Sequence, residues 1–250
     1  MKLKAFIKDS LDSGRTALTE AESKTVLKSY GVPVVAETVA ATAESAVDAA
    51  VQLGFPVVLK GLAEHLLHKT DQGLVHLDLT DAHSVRRAAE KILQTAPGCQ
   101  LLVLPQLKGK REFVTGLFRD PHFGPAILFG LGGIFTEALA DVTFRLPPLT
   151  RLDAEEMIES IQSSVLLGRF RGEEAVERKT LVDTVMGLAA IGADIPEIAE
   201  IDINPLIATP EGRIKAVDAL ITLAPPDKCD TTCHHVPPPA IRSLFYPRSV

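Results

Sequence analysis

The sequence predicts a mixed α/β (α+β) chain built as two subdomains, and three observations lead there. Residues 19–106 alternate helix-like and strand-like segments at a length suited to one compact subdomain. Residues 107–223 change texture, with short strands broken by Gly and Pro, then helices, then a closing hairpin. After Leu223 the composition shifts again: Ala224-Pro225-Pro226 and the stretch from Cys229 to Pro239 read as an exposed linker.

Taken in order, residues 1–18 read as a weakly held arm. Thr19-Glu20-Ala21-Glu22 is a capping box, in which the Thr hydroxyl and the last Glu carboxylate satisfy orphan N–H groups of a starting helix. That helix puts Ala21, Val26, Leu27 and Tyr30 near one face and stops at Gly31. Val32 to Val39 is strand-like, and Pro33 places it at an edge. Thr42 to Leu53 is an Ala-rich helix that Gly54 ends. Pro56 to Leu59 is a continuous apolar run, read as a buried strand that ends on Lys60. A loop follows with His65, His68, Lys69, Thr70 and Asp71, then a strand from Gly73 to Leu79, a helix from about Ala82 to Gln94, and a strand from Gln100 to Gln106.

In the second half Glu112 to Phe118 alternates as a strand, residues 120–125 turn the chain, and Ala126 to Phe129 is a buried strand running into Gly130-Leu131-Gly132-Gly133. Two or three helices fit between Asp153 and Ile191. The hairpin runs from Ile198 to Ile207, turns at residues 209–212 and returns from Ile214 to Ile221.

With 46% apolar residues in 250, the chain can fill a substantial core. A net charge of −6 and no basic run exclude a nucleic-acid partner. The N-terminus is charged throughout and is no signal peptide, and the longest uncharged run, Pro121 to Thr136, is too short to span a bilayer. Cys99, Cys229 and Cys233 form no disulfide framework, so the expected compartment is the cytoplasm, with no membrane association. Cys229, Cys233, His234 and His235 match no closed zinc site.

Three places carry candidate chemistry. Lys60 at the end of a buried strand is a fixed cation suited to a phosphate, and His68 on the following loop can act as a nucleophile near neutral pH. An ordinary hairpin with a surface lysine fits the same residues. The Gly130–Gly133 run can bring backbone N–H groups to an anion or simply make a tight turn; Glu137 and Asp141 follow it, facing the same place or solvent. Asp202 and Asn204 are two apart on a strand and share one face, with Asp218 across the hairpin. Such oxygen ligands suit Mg²⁺ carried by a nucleotide, and a polar sheet face with a turning Asn-Pro is the plain alternative.

Together these segments resemble the ATP-grasp domain of the NDP-forming acyl-CoA synthetases, typified by ADP-forming acetyl-CoA synthetase. The resemblance runs from about Leu18 to Leu223 through LTEAESKTVLKSYGVPV, FPVVLK, LHKTDQGLV, KREF, FRDPHFGPAILFGLGGIFTEAL, DVTFRLPPLT, PEIAEIDINPLI and AVDA in order. It implies an ATP-grasp fold of two subdomains, about 19–106 and 107–223, gripping Mg²⁺ with ATP or ADP. The implied reaction is acyl-CoA + ADP + phosphate to acid + CoA + ATP, by way of a phosphohistidine. His68 matches the histidine; Lys60, Lys69, Glu112, Gly132 and Gly133 match nucleotide-binding segments; Asn204 and Asp218 match the Mg²⁺ ligands, with Asp202 beside them. The implied partners are the CoA-binding and CoA-ligase parts of the same synthetase, which supply acyl-CoA, so turnover alone is not expected. SLFYPRSV (Ser243–Val250) resembles the run-in to that CoA-binding domain, so residues 224–250 are expected to be a linker and the start of a truncated domain. A regulatory synthetase-like module of a protein acetyltransferase is the alternative. Two departures from the family pattern stand out: Gly73-Leu74 replaces two glycines, and Leu104-Pro105 replaces Gln-Glu, where Pro105 has no N–H to offer a base.

Overall fold

The computed structural model describes residues 2–62, 73–133 and 140–225. The chain divides into two compact units: a larger one of residues 1–18, 23–34 and 109–250, and a smaller one of residues 19–22 and 35–108. Among the described residues no helix is long and apolar enough to cross a membrane.

The smaller unit is a four-stranded sheet with two helices. Its strands are β1 (Thr38–Ala40), β2 (Val57–Leu62), β3 (Val75–Leu79) and β4 (Gln100–Pro105), in spatial order β1-β4-β2-β3 with every pairing antiparallel. Helix α3 (Ala43–Leu53) starts because Thr42 and Ser45 exchange side-chain-to-backbone hydrogen bonds at 3.0 and 3.1 Å. Helix α4 (Ala82–Thr95) starts on the same device, with Asp81 and Ser84. Small residues let α3 close on the sheet: Ala46, Ala49 and Ala50 are buried beside Val57, Leu59, Val85 and Ile92 in one core. Leu74, which stands at one of the departures from the family pattern, is fully buried in this core, and its carbonyl accepts the Gly61 N–H at 2.8 Å. Leu104 is likewise buried, and Pro105 ends β4 opposite Val57.

The larger unit holds strands β5 (Arg111–Asp120), β6 (Gly124–Leu131), β7 (Val142–Arg145), β8 (Ile198–Ala208), β9 (Ile214–Ala216) and β10 (Leu220–Leu223). Their order is β10-β8-β5-β6-β7, with β9 also paired to β8, and again every pairing is antiparallel. One face carries Phe113, Leu117, Ile127, Phe129, Ile201 and Ile203 into a core shared with α5 (Arg151–Glu159) and α6 (Arg178–Asp194). Phe113 and Phe129 stack at 5.7 Å inside it.

Three expectations change. Residues 1–18 are not a loose arm: α1 (Lys2–Asp12) buries Ile7 in the larger core, and Leu18 donates to the Ile221 carbonyl at 2.9 Å. The cause is a helical stripe of Leu3, Phe6, Ile7 and Leu11 that packs against that core. The strand expected from Val32 to Val39 shrinks to β1 and a lone bridge from Val34 to Ala216, because Pro33 cannot donate to a ladder although its carbonyl accepts from Ala216 at 2.8 Å. The return arm of the hairpin is split into β9 and β10. By contrast, α2 (Glu20–Ser29) begins on the reciprocal bonds expected, with Thr19 N and Oγ1 both donating to Glu22 Oε2 at 2.8 and 2.9 Å.

Candidate nucleotide and metal site

The break between β9 and β10 makes the first part of the site. Leu206 pairs with Ala216 and Asp202 with Leu220, so residues 217–219 face residues 203–205 without a regular ladder. On the other side of β8 the register with β5 shifts between Phe113 and Thr115, a bulge at the same place. Asn204 stands exposed at this irregularity, and Asp218 lies in the gap, its Oδ1 accepting the Ala219 N–H at 2.9 Å. Asp202 pairs with Gly116 on the sheet face turned away from Ile201 and Ile203. Asp202 is pushed up to about 7, by burial first and then by the charges of Glu200 and Asp218. Among the described residues no group of three His, Cys, Asp or Glu side chains is itself arranged as a metal site. A bound ion here would draw on Asp202, Asp218 and the Asn204 amide oxygen. That hard-oxygen set fits Mg²⁺ carried with a nucleotide, because Mg²⁺ takes few protein ligands and completes its octahedron with phosphate and water.

The second part sits where β6 ends. Gly132 donates to the Glu112 carbonyl at 2.8 Å, and Leu131 donates to the Asp141 carbonyl at 2.9 Å. These N–H groups therefore serve the sheet and do not form an anion cradle. Glycine is required for other reasons: a Cβ on Gly132 would meet the Phe113 backbone at 2.7 Å, and Gly133, which lies against Glu112, has a φ of +71°. The structure thus brings Glu112, Gly132 and Gly133 together on the larger unit. Asp141, which follows, is structural: its two carboxylate oxygens accept the Gln162 and Ser163 N–H groups, each at 2.7 Å.

Lys60 belongs to the smaller unit. It was expected to leave its strand at an edge, yet β2 runs on to Leu62, is buried at every residue, and lies between β4 and β3. Its Nζ donates to Glu20 Oε1 at 2.8 Å, with the side chains only 6% and 1% exposed. Sequence reasoning missed Glu20, which it treated only as a member of the capping box. The two residues are forty positions apart, and no periodicity links them. His65, His68, Lys69, Thr70, Asp71 and Glu137 lie outside the described residues, as do Cys229, Cys233, His234, His235 and the tail.

Comparison with known proteins matches residues 9–223 to the family model described as an ATP-grasp domain. The β subunit of the ADP-forming acetate–CoA ligase I of Pyrococcus furiosus is 41% identical over 82% of this chain and 91% of its own length. The chain belongs to the ATP-grasp β subunits of the ADP-forming acid–CoA ligases. The ATP-grasp match extends to the β subunit of ligase II of the same organism, 39% identical over 87% of this chain and 96% of that one. It also extends to the single-chain acetate–CoA ligase II of Archaeoglobus fulgidus, 36% identical over 93% of this chain but only 33% of that protein. Among solved structures, an acetyl-CoA synthetase of Ca. Korarchaeum cryptofilum with coenzyme A and Ca-AMPCP superposes with a TM-score of 0.82, at 39% identity. That alignment covers 88% of this chain and 99% of that one. A second structure of that enzyme, with Mg-AMPPCP and its phosphohistidine segment pointing towards the nucleotide site, gives 0.78 at 39% identity over 89% of this chain and 100% of that one.

Proposed function

We propose that this ATP-grasp chain carries out the phosphoryl-transfer half of an ADP-forming acyl-CoA synthetase reaction: acyl-CoA, ADP and phosphate to acid, CoA and ATP, reversibly. The observation that carries the reading is the oxygen-donor set of Asp202, Asn204 and Asp218, where the β5–β8 bulge coincides with the break between β9 and β10, in a chain with the ATP-grasp fold. In the direction of ATP use, an imidazole nitrogen of His68 attacks the γ-phosphorus. An N–P bond forms as the P–O bond to ADP breaks, and the reverse transfer makes ATP. Lys60 holds a phosphate oxygen by charge, and Lys69 adds a second cation beside the histidine in sequence. Glu112 with Gly132 and Gly133 lines the nucleotide on the larger unit. Asn204, Asp218 and Asp202 would hold Mg²⁺, which when bound neutralises phosphate charge and fixes the orientation of the phosphates. A CoA-binding partner, as subunit or domain, supplies the acyl chemistry. The β-subunit relatives support that division of labour, since they are named as one subunit of a ligase.

The test is incubation of the chain and its CoA-binding partner with Mg²⁺ and γ-labelled ATP, followed by peptide mapping of acid-labile label. Label on the peptide containing His68, absent in His68→Ala and reduced at least tenfold in Asp218→Ala, is the expected result. Undiminished labelling in His68→Ala overturns the relay.

A further inference from the structure

We propose that Glu20 is a positioning residue that fixes the ammonium of Lys60 for a nucleoside di- or triphosphate. The inference rests on the reading of Lys60 as the phosphate-binding cation and names what holds it in place. Lys60 lies in the middle of β2, opposite Leu102 of β4 and Val75 of β3, so its tip is presented from an apolar sheet. Burial disfavours a charged ammonium, and an opposing carboxylate in hydrogen-bond contact restores it. Glu20 meets that need at 2.8 Å, almost wholly buried itself.

Glu20 also has a setting that favours its charge apart from Lys60. It is the first residue of α2, where the aligned N–H groups of the helix favour a negative charge. The capping work of that turn falls on its neighbours: Thr19 and Glu22 satisfy each other, with Glu22 N donating back to Thr19 Oγ1 at 3.4 Å. The Glu20 carboxylate is therefore favoured as an anion by the helix start as well as by Lys60. An ammonium has three donors on a flexible stem, so a bond to Glu20 and a bond to a phosphate oxygen are compatible.

A purely architectural role accounts poorly for the pair. Burying two charges costs desolvation that an aliphatic pair joining the same strand and helix would not incur. What the ion pair adds is a charged donor with a defined position. Preset charge costs no reorganisation when the phosphate arrives.

The experiment is a double-mutant cycle on the full chain, reading the dissociation constant for Mg-ADP by calorimetry and folding by thermal melting. Glu20→Gln keeps the shape and removes the charge. It is expected to weaken binding about tenfold with Lys60 present, and by less than twofold in the Lys60→Ala background. A merely structural Glu20 would weaken both backgrounds equally, and that additive result overturns the proposal. So does unchanged affinity in Glu20→Gln while Lys60→Ala binds at least tenfold more weakly; the Lys60 reading then stands alone. Unchanged affinity in Lys60→Ala overturns the Lys60 reading and this inference with it. If Glu20→Gln melts below the assay temperature, Glu20→Asp, which keeps the charge but withdraws it by one methylene, carries the same cycle.

Discussion

Two ion pairs, Arg111–Glu173 in the larger unit and Lys60–Glu20 in the smaller, are both buried, and their cations differ in chemistry. Arg111 Nε donates to Glu173 at 3.1 Å, and its other nitrogens donate to the carbonyls of Leu166, Gly168 and Glu174 at 3.0, 2.8 and 2.5 Å. Glu173 Oε1 in turn accepts the Lys110 N–H at 3.2 Å. A rigid five-donor fork aimed at the backbone of one segment is a permanent fastening. Lys60 is a point charge on a flexible stem, set in a strand whose neighbours are apolar. On the proposed function Lys60 meets a phosphate whereas Arg111 fastens backbone, and burial and pairing alone do not distinguish the two.

The largest effect that can break this comparison comes from replacing both members of each pair by apolar residues. Arg111→Met with Glu173→Leu leaves three part-buried carbonyls short of a donor and is expected to lower unfolding free energy by about 3 kcal/mol in urea titrations. Lys60→Met with Glu20→Leu is expected to stay within about 1 kcal/mol of wild type while Mg-ADP binding is lost. Equal destabilisation by the two double variants would show that the pairs do the same work.

Asp141 sharpens the point with a single carboxylate. Burial alone would raise its pKa, but the Ser163 and Gln162 hydrogen bonds outweigh that and hold it below the ordinary 3.8. A carboxylate with a depressed folded value contributes stability that is full above its unfolded value and is lost as pH falls through the folded one. Asp141→Asn should therefore cost about 1–2 kcal/mol at pH 7, with the gap to wild type narrowing as pH falls through and below the ordinary carboxylate range. A gap that stays unchanged through the whole acid titration would mean the charge is not what holds the 162–163 turn.

The smallest effect is a control. Thr42→Ala removes the cap of α3, in the same unit as Lys60, and should cost about 1 kcal/mol with Mg-ADP affinity unchanged. If that variant also loses nucleotide, general loosening of the smaller unit would explain the Lys60 variants equally well.

Much of the fold was legible because its signals are local. The Thr19–Glu22 box and the end of α3 at Gly54 each depend on residues within one helical turn. The alternation at Asp202 and Asn204 depends only on strand period. The α1 stripe was equally local but was overlooked beneath the charges of the first residues. The course of residues 32–37 was not legible, because Pro33 decides only which groups cannot pair, and the bridge from Val34 to Ala216 spans most of the chain.

The sequence by itself determined most of the helices and strands after residue 18, the Thr19–Glu22 box, and an inventory of side chains offered for phosphate and metal. Only the tertiary structure decided that Lys60 is buried against Glu20, that Gly132 and Gly133 close upon Glu112, and that a bulge and a strand break coincide to set Asn204 and Asp218 across from each other. The reason is physical. Local choices are fixed by backbone sterics and hydrogen bonds over three or four residues, and those leave a period in the sequence. Pairings across a sheet or between a strand and a helix are chosen by the burial of whole faces, and they leave none.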